Sequence, residues 1–177
     1  MPTKEVKQMS SMTEKYVVLL SELGNGELSN LRAMRNRGLD DDLLCFDLFT
    51  SLWWPLRESS QRAPQRDIAW LIAKLYASYP IPQKTNMCLP RLMGELAKNN
   101  KAQSEQLDRL TDTIVNLSTS SLEPTLGMAL NLIRKHYQGM DWVHLTDTLS
   151  MWRFHRVRER WGEDYLYGIK EYQEVKK

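Results

Sequence analysis

Apolar residues recur along this chain at three- and four-residue steps almost from end to end, and polar positions cut the pattern into short helices. Between Thr13 and Leu23, Tyr16, Leu19, Leu20 and Leu23 form one stripe, which Gly24-Asn25-Gly26 is expected to end. Glu27 to Arg37 follows, with Leu28, Leu31 and Met34 three residues apart and Gly38 closing it. Asp40 to Trp54 carries acids in its first turn, where the helix dipole favours them, and should stop before Pro55. Pro64 suits the first turn of a helix presenting Ile68, Leu71, Ile72, Leu75, Tyr76 and Tyr79 on one face.

Tyr79-Pro80-Ile81-Pro82 breaks that helix, and Ile81 to Leu89 reads as the best loop, expected to be mobile. Pro90 to Asn99 then turns Leu92, Met93 and Leu96 inward, and Ser104 to Leu117 continues with Leu107, Leu110 and Ile114. Ser121 can cap a helix through Leu126, Leu130 and Ile133 to Tyr137. The reverse turn Gly139-Met140-Asp141-Trp142 opens a final pair, Asp141 to Phe154 and Arg156 to about Tyr172. Trp142, Leu145, Leu149 and Trp152 keep helical spacing, and Trp142 and Trp152 are expected in the core. No segment alternates like a strand flanked by hairpin turn residues. The expected class is all-α, a compact bundle of about eight or nine short helices. The chain fits a single domain over 1–177, with a division near 80–90 into helical subdomains 12–79 and 90–172 as the other organisation.

A length of 177 residues allows a sizeable core. Cys45 and Cys88 stand far apart without metal-type spacing, so both read as buried small hydrophobes of a reducing cytoplasm. Met1 to Ser11 is polar with lysines and lacks the apolar run of a signal peptide. No stretch approaches the roughly 18 apolar residues of a membrane span, so the expectation is cytoplasmic, with no membrane partner.

Net charge is only +2, but arginines gather: Arg32, Arg35 and Arg37; Arg57, Arg62 and Arg66; Arg153, Arg156, Arg158 and Arg160. Acids gather elsewhere, at Asp40-Asp41-Asp42 and toward Glu171 and Glu174. The planar guanidinium fork suits phosphate and base stacking better than an ammonium does. The plain alternative is a set of solvated helix faces with local ion pairs.

Catalytic patterns are missing. His136, His144 and His155 form no i, i+4 pair and none stands near a cysteine in sequence, so neither a zinc nor a di-iron site is expected. There is no glycine-rich phosphate loop and no Gly-x-Ser-x-Gly nucleophile turn. Asp40, Asp41 and Asp42 are consecutive and point apart on a helix, so they do not assemble a magnesium site unaided. The expectation is a non-enzymatic chain without cofactor.

Several of these segments together resemble CasB, the small-subunit family of the type I-E CRISPR surveillance complex Cascade. Leu23-Gly24-Asn25-Gly26 followed by Leu31-Arg32-Ala33 is similar to the family's opening turn and Leu-Arg-Arg helix start. Phe46 to Phe49 fits its aromatic second segment, Ile68 to Ala77 its central helix, and Leu89-Pro90-Arg91-Leu92 its arginine step. The block Met140-Asp141-Trp142, Leu145, Leu149, Trp152 and Arg158 to Tyr165 is the most specific part, and the resemblance spans nearly the whole chain. Two departures stand out. Ala33 replaces the second basic residue of the opening motif, and Thr111-Asp112-Thr113-Ile114 lies where the family often has a basic-basic-aromatic run, with Arg109 the only base nearby.

The resemblance implies a helical, non-catalytic subunit that touches the guide RNA–target DNA region and helps hold the displaced strand, without reading sequence. It implies as partners the backbone and large Cascade subunits, a second copy of the chain, CRISPR RNA and target DNA. Arg32, Arg35 and Arg37 are the first candidates for backbone contact, then Arg66, Arg91, Arg134, Lys135, Arg153 and Arg156. A helical adaptor binding only proteins is the runner-up, and a helix-turn-helix regulator using Glu27 to Arg37 a distant third.

Overall fold

The computed structural model describes residues 10–174, with side chains described through residue 170. Most of the polar segment from Met1, and the side chains of Glu171 and Glu174, lie outside those bounds. Among the described residues the chain is all-helical: α1 Met12–Ser21, α2 Asn25–Ala33, α3 Leu43–Ser59, α4 Arg66–Ser78, α5 Leu89–Asn99, α6 Lys101–Asn116, α7 Leu122–Ile133, α8 Trp142–Ser150 and α9 His155–Glu174. Short 3-10 turns at Leu39–Asp41 and Thr119–Ser121 precede α3 and α7.

Capping chemistry sets most of the boundaries. Ser11 and Glu14 form a reciprocal capping box at the start of α1, and the Asn100 side chain caps α6 by accepting from the Ala102 N–H. The acidic triplet splits its work. Asp40 pairs with Arg66, Asp41 accepts from the Gly38 N–H, and Asp42 caps α3 by accepting from the Leu44 and Cys45 N–H groups.

Two expectations are corrected here. Helix α3 does not stop before Pro55 but runs through it to Ser59. The carbonyl that loses its partner is that of Ser51, an exposed residue, so water can take the place of the missing N–H. Helix α2 ends at Ala33 rather than Arg37. Asn36 adopts a left-handed backbone, φ 62°, and turns the chain out of the helix, so Arg35 and Arg37 sit on a turn.

The third difference concerns the loop before α5, expected to be mobile. It is strapped to the turn before α8. The Lys84 N–H donates to the Met140 carbonyl at 2.9 Å, the Met140 N–H to Pro82 at 3.0 Å and the Asp141 N–H to Met87 at 2.8 Å. The Asp141 carboxylate accepts from the Asn86 N–H and Gln83 Nε2 while also capping α8 through the His144 N–H. Trp142 completes the strap, its indole N–H donating to the Ile81 carbonyl at 2.7 Å. Polar loop composition gave no sign of this, because the partners come from a distant segment.

A contiguous cluster of buried apolar side chains runs from Tyr16 to Tyr165 and includes Trp142, Trp152 and Trp161. Trp152 and Trp161 meet edge to face, with ring centroids 5.5 Å apart. The tightest helix pair is α5 against α9. A Cβ on Gly94 would fall 2.1 Å from the Tyr165 carbonyl oxygen, and one on Gly168 would fall 2.3 Å from that of Arg91. Glycine is what lets these two backbones touch at both points.

Candidate nucleic-acid interface

Two of the candidate arginines meet at Tyr79, the residue directly after α4, and a third binds the last turn of that helix. Arg32, in the last turn of α2, donates from Nε to the Ala77 carbonyl at 3.0 Å, filling an acceptor at the C-terminus of α4. Arg35 reaches the Tyr79 hydroxyl through Nη1 at 3.5 Å, and the Arg134 guanidinium lies 5.6 Å from the centre of the Tyr79 ring. Lys135 follows in the exposed turn after α7. Helix ends far apart in sequence thus bring Arg35 and Arg134 to one half-buried aromatic ring, with Arg32 bound two residues before it in the chain.

Arg37 stands one residue past the left-handed Asn36. Its backbone carbonyl accepts from the Trp70 indole N–H at 3.2 Å and from Lys74 Nζ at 2.9 Å. The Asn36 N–H in turn donates to Glu123 at 2.9 Å. The turn is therefore clamped from beneath by its backbone, and the Arg35 and Arg37 side chains are exposed above it.

The other candidates lie apart from this group. Arg66 is bound to Asp40 at 2.9 Å and stacks near the Phe46 ring, so its charge is locally balanced. Arg91 is half-buried, approaches Asp164 at 3.5 Å and covers the Tyr167 ring at 4.6 Å. Arg153 lies 4.7 Å from the centre of the exposed Phe154 ring. Arg156 lines a groove of about 870 Å³ beside α8 and α9, together with Arg160, Met151, Phe154, His144 and Trp161. Arg109, at the family's middle basic run, pairs with Glu105 on an exposed face.

The nine candidates therefore divide into Arg35 and Arg134 at Tyr79, Arg32 bound to Ala77 just before it, Lys135 next along the chain from Arg134, the Arg37 turn, Arg153 beside Phe154, the groove-lining Arg156, and two residues engaged by carboxylates, Arg66 and Arg91. Residue-by-residue reading missed Tyr79 as a platform; its signal was an aromatic directly after the last turn of α4 and before Pro80. It also passed over Arg160 and Phe154 as groove residues. Both cysteines are buried free thiols.

The family model described as CRISPR-associated protein Cse2 matches residues 27–166. A CasB from M. ruber has a similar structure, with a TM-score of 0.73 at 16% identity, covering 93% of this chain and 98% of that one. A Cse2-family CRISPR-associated protein from Thermus thermophilus gives 0.64 at 22% identity, covering 90% and 99%. A chain of a CRISPR RNA-guided surveillance complex gives 0.67 at 14% identity, covering 94% and 95%. At these identities the likeness is one of fold. No curated protein matches the sequence.

Proposed function

The chain belongs to the Cse2 family of CRISPR-associated proteins, and on that premise we propose that it is the non-catalytic small subunit of a type I-E RNA-guided surveillance complex. In this reading it binds nucleic-acid backbone without sequence specificity and steadies the guide RNA–target DNA R-loop and its displaced strand. The observation that carries the reading is the meeting of Arg35 and Arg134 at Tyr79, with Arg32 bound to the Ala77 carbonyl in the last turn of the same helix and the exposed Arg37 and Lys135 next to them in the chain. Guanidinium groups held on a rigid helical frame beside an aromatic ring suit phosphates and unstacked bases alike.

The chain acts as one domain in the cytoplasm, beside backbone and large subunits and a second copy of itself, with CRISPR RNA and target DNA as its nucleic-acid partners. Arg153 and Arg156 extend the basic track, whereas Arg66 and Arg91 chiefly serve local ion pairs.

One observation favours the adaptor reading. Leu43 and Leu44, at the start of α3, are 82% and 74% exposed and suit a protein neighbour. The deciding experiment is target-DNA binding by the reconstituted complex as salt is raised, with and without this chain. A phosphate-binding subunit steepens the fall of affinity with salt, whereas an adaptor shifts affinity without changing the slope.

A further inference from the structure

Cys88, His144 and Asp164 stand far apart in sequence and meet at one point. Cys88 is the N-cap residue of α5, His144 lies in the first turn of α8 and Asp164 is on the buried face of α9. The thiol sulfur, a ring nitrogen and a carboxylate oxygen all lie within 4.8 Å of one another. Sequence spacing argued against a metal site because it counts only near neighbours; the tertiary fold supplies the convergence.

We propose that Cys88, His144 and Asp164 form a Zn2+ site with three protein ligands, tying the start of α5 to α8 and α9. A water from the adjoining groove takes the fourth position. Metal binding here does not depend on nucleic-acid binding elsewhere on the chain.

The donor set selects the metal. A thiolate, an imidazole and a carboxylate suit zinc, whereas magnesium and calcium take oxygen donors throughout. Two observations support a ligand here. His144 Nδ1 is buried and has no hydrogen-bond partner among the described residues, so one ring nitrogen stands open for coordination. His144 and Asp164 also line the groove of about 870 Å³, which gives water and metal a path to the cluster.

Charge balance fits as well. A Cys88 thiolate and the Asp164 carboxylate neutralise a dication. On binding, the thiol S–H bond gives way to an S–Zn bond and its proton leaves to solvent. The neighbouring cations hold Asp164 in place: Arg91 approaches Oδ1 at 3.5 Å and Arg160 approaches the same oxygen at 3.8 Å. Arg160 is mostly exposed and can swing away when a metal arrives.

The test uses the full chain, freed of metal by a chelator and titrated with Co2+ as a spectroscopic stand-in, then with Zn2+ in competition. One equivalent per chain should bind, with the visible bands of tetrahedral cobalt and a near-ultraviolet thiolate-to-cobalt band. Zn2+ should bleach both. Cys88→Ser should abolish the thiolate band, and His144→Gln should weaken Zn2+ by more than about 100-fold, beyond the usual cost of changes outside the ligand shell. Cys45→Ser should change neither. Because His144 is only half-buried, its variant keeps the test decisive if Cys88→Ser misfolds. Absence of a saturable cobalt spectrum, loss of the band in Cys45→Ser, or undiminished zinc affinity in folded His144→Gln would each overturn the site.

Discussion

Lys74 Nζ and Glu123 Oε2 lie 2.5 Å apart inside the bundle, and this buried pair fixes the turn that carries Arg35 and Arg37. Lys74 also donates to the Arg37 carbonyl, and the other Glu123 oxygen accepts from the Asn36 N–H. Two charges on α4 and α7 thereby hold the left-handed Asn36 in place. Removing one partner leaves the other buried and uncompensated. Glu123→Ala is expected to cost about 3–5 kcal/mol in urea unfolding. A loss under about 1 kcal/mol would mean that water reaches Lys74 and the pair is not the clamp described.

Charge reversal tests the arginine turn. Arg32 also fills a backbone acceptor of α4, so Arg35→Glu with Arg37→Glu separates binding from folding more cleanly. The double variant should keep its helical circular dichroism. In the assembled complex, the slope of log affinity against log salt should fall by ~1.4 for two single-strand phosphate contacts. An unchanged slope would remove this turn from the interface.

The α5–α9 crossing makes a prediction with its own control. Gly168→Ala drives a methyl group against the Arg91 carbonyl and should cost about 1–3 kcal/mol, because backbone cannot move aside as a flexible side chain does. Gly162→Ala, on the same helix, places its Cβ where no heavy atom lies within 4 Å. It should instead gain about 0.5–1 kcal/mol from helix propensity. Thermal denaturation of the two variants side by side decides it.

Asp147 gives a pH dependence. Burial raises its carboxyl above the ordinary value of 3.8, with the hydrogen bond from Thr13 the largest opposing influence. The folded chain therefore binds this proton more tightly than the unfolded chain. The associated stability is complete below the ordinary value and is lost as pH rises through the higher folded one. Asp147→Asn keeps an acceptor for Thr13 and removes the charge. Its melting temperature should exceed the parent's at neutral pH, and the gap should close below pH 3.8. A gap that persists or widens on acidification would contradict the burial argument.

Helix type and order were legible because core-facing residues such as Ile68, Leu71, Ile72 and Leu75 keep strict helical spacing. Boundaries were less so. Pro55 looks like a stop, yet a proline facing solvent loses only a hydrogen bond that water can replace. The Arg32 and Arg35 cluster was partly visible, but Arg134 joins it through Tyr79, and no local pattern links α7 to the end of α4. Cys88, His144 and Asp164 are hidden for the same reason. Gly94 and Gly168 passed unremarked as well, since a helical glycine discloses its purpose only when its neighbour's backbone is known.

The Asp141 carboxylate has a consequence for the order of folding. It caps α8 and takes the Asn86 N–H from a loop 55 residues earlier, so α8 and that loop complete each other. A ribosome releases the loop well before its anchor. Until α8 emerges, the Gln83 side chain and the Asn86 amide have only water to bind, and α5 lacks the α9 surface that covers it. The last third of the chain thus closes structure that the middle third began, and a nascent chain stopped short of Asp141 would carry an unfastened loop and an uncovered helix for a chaperone to recognise.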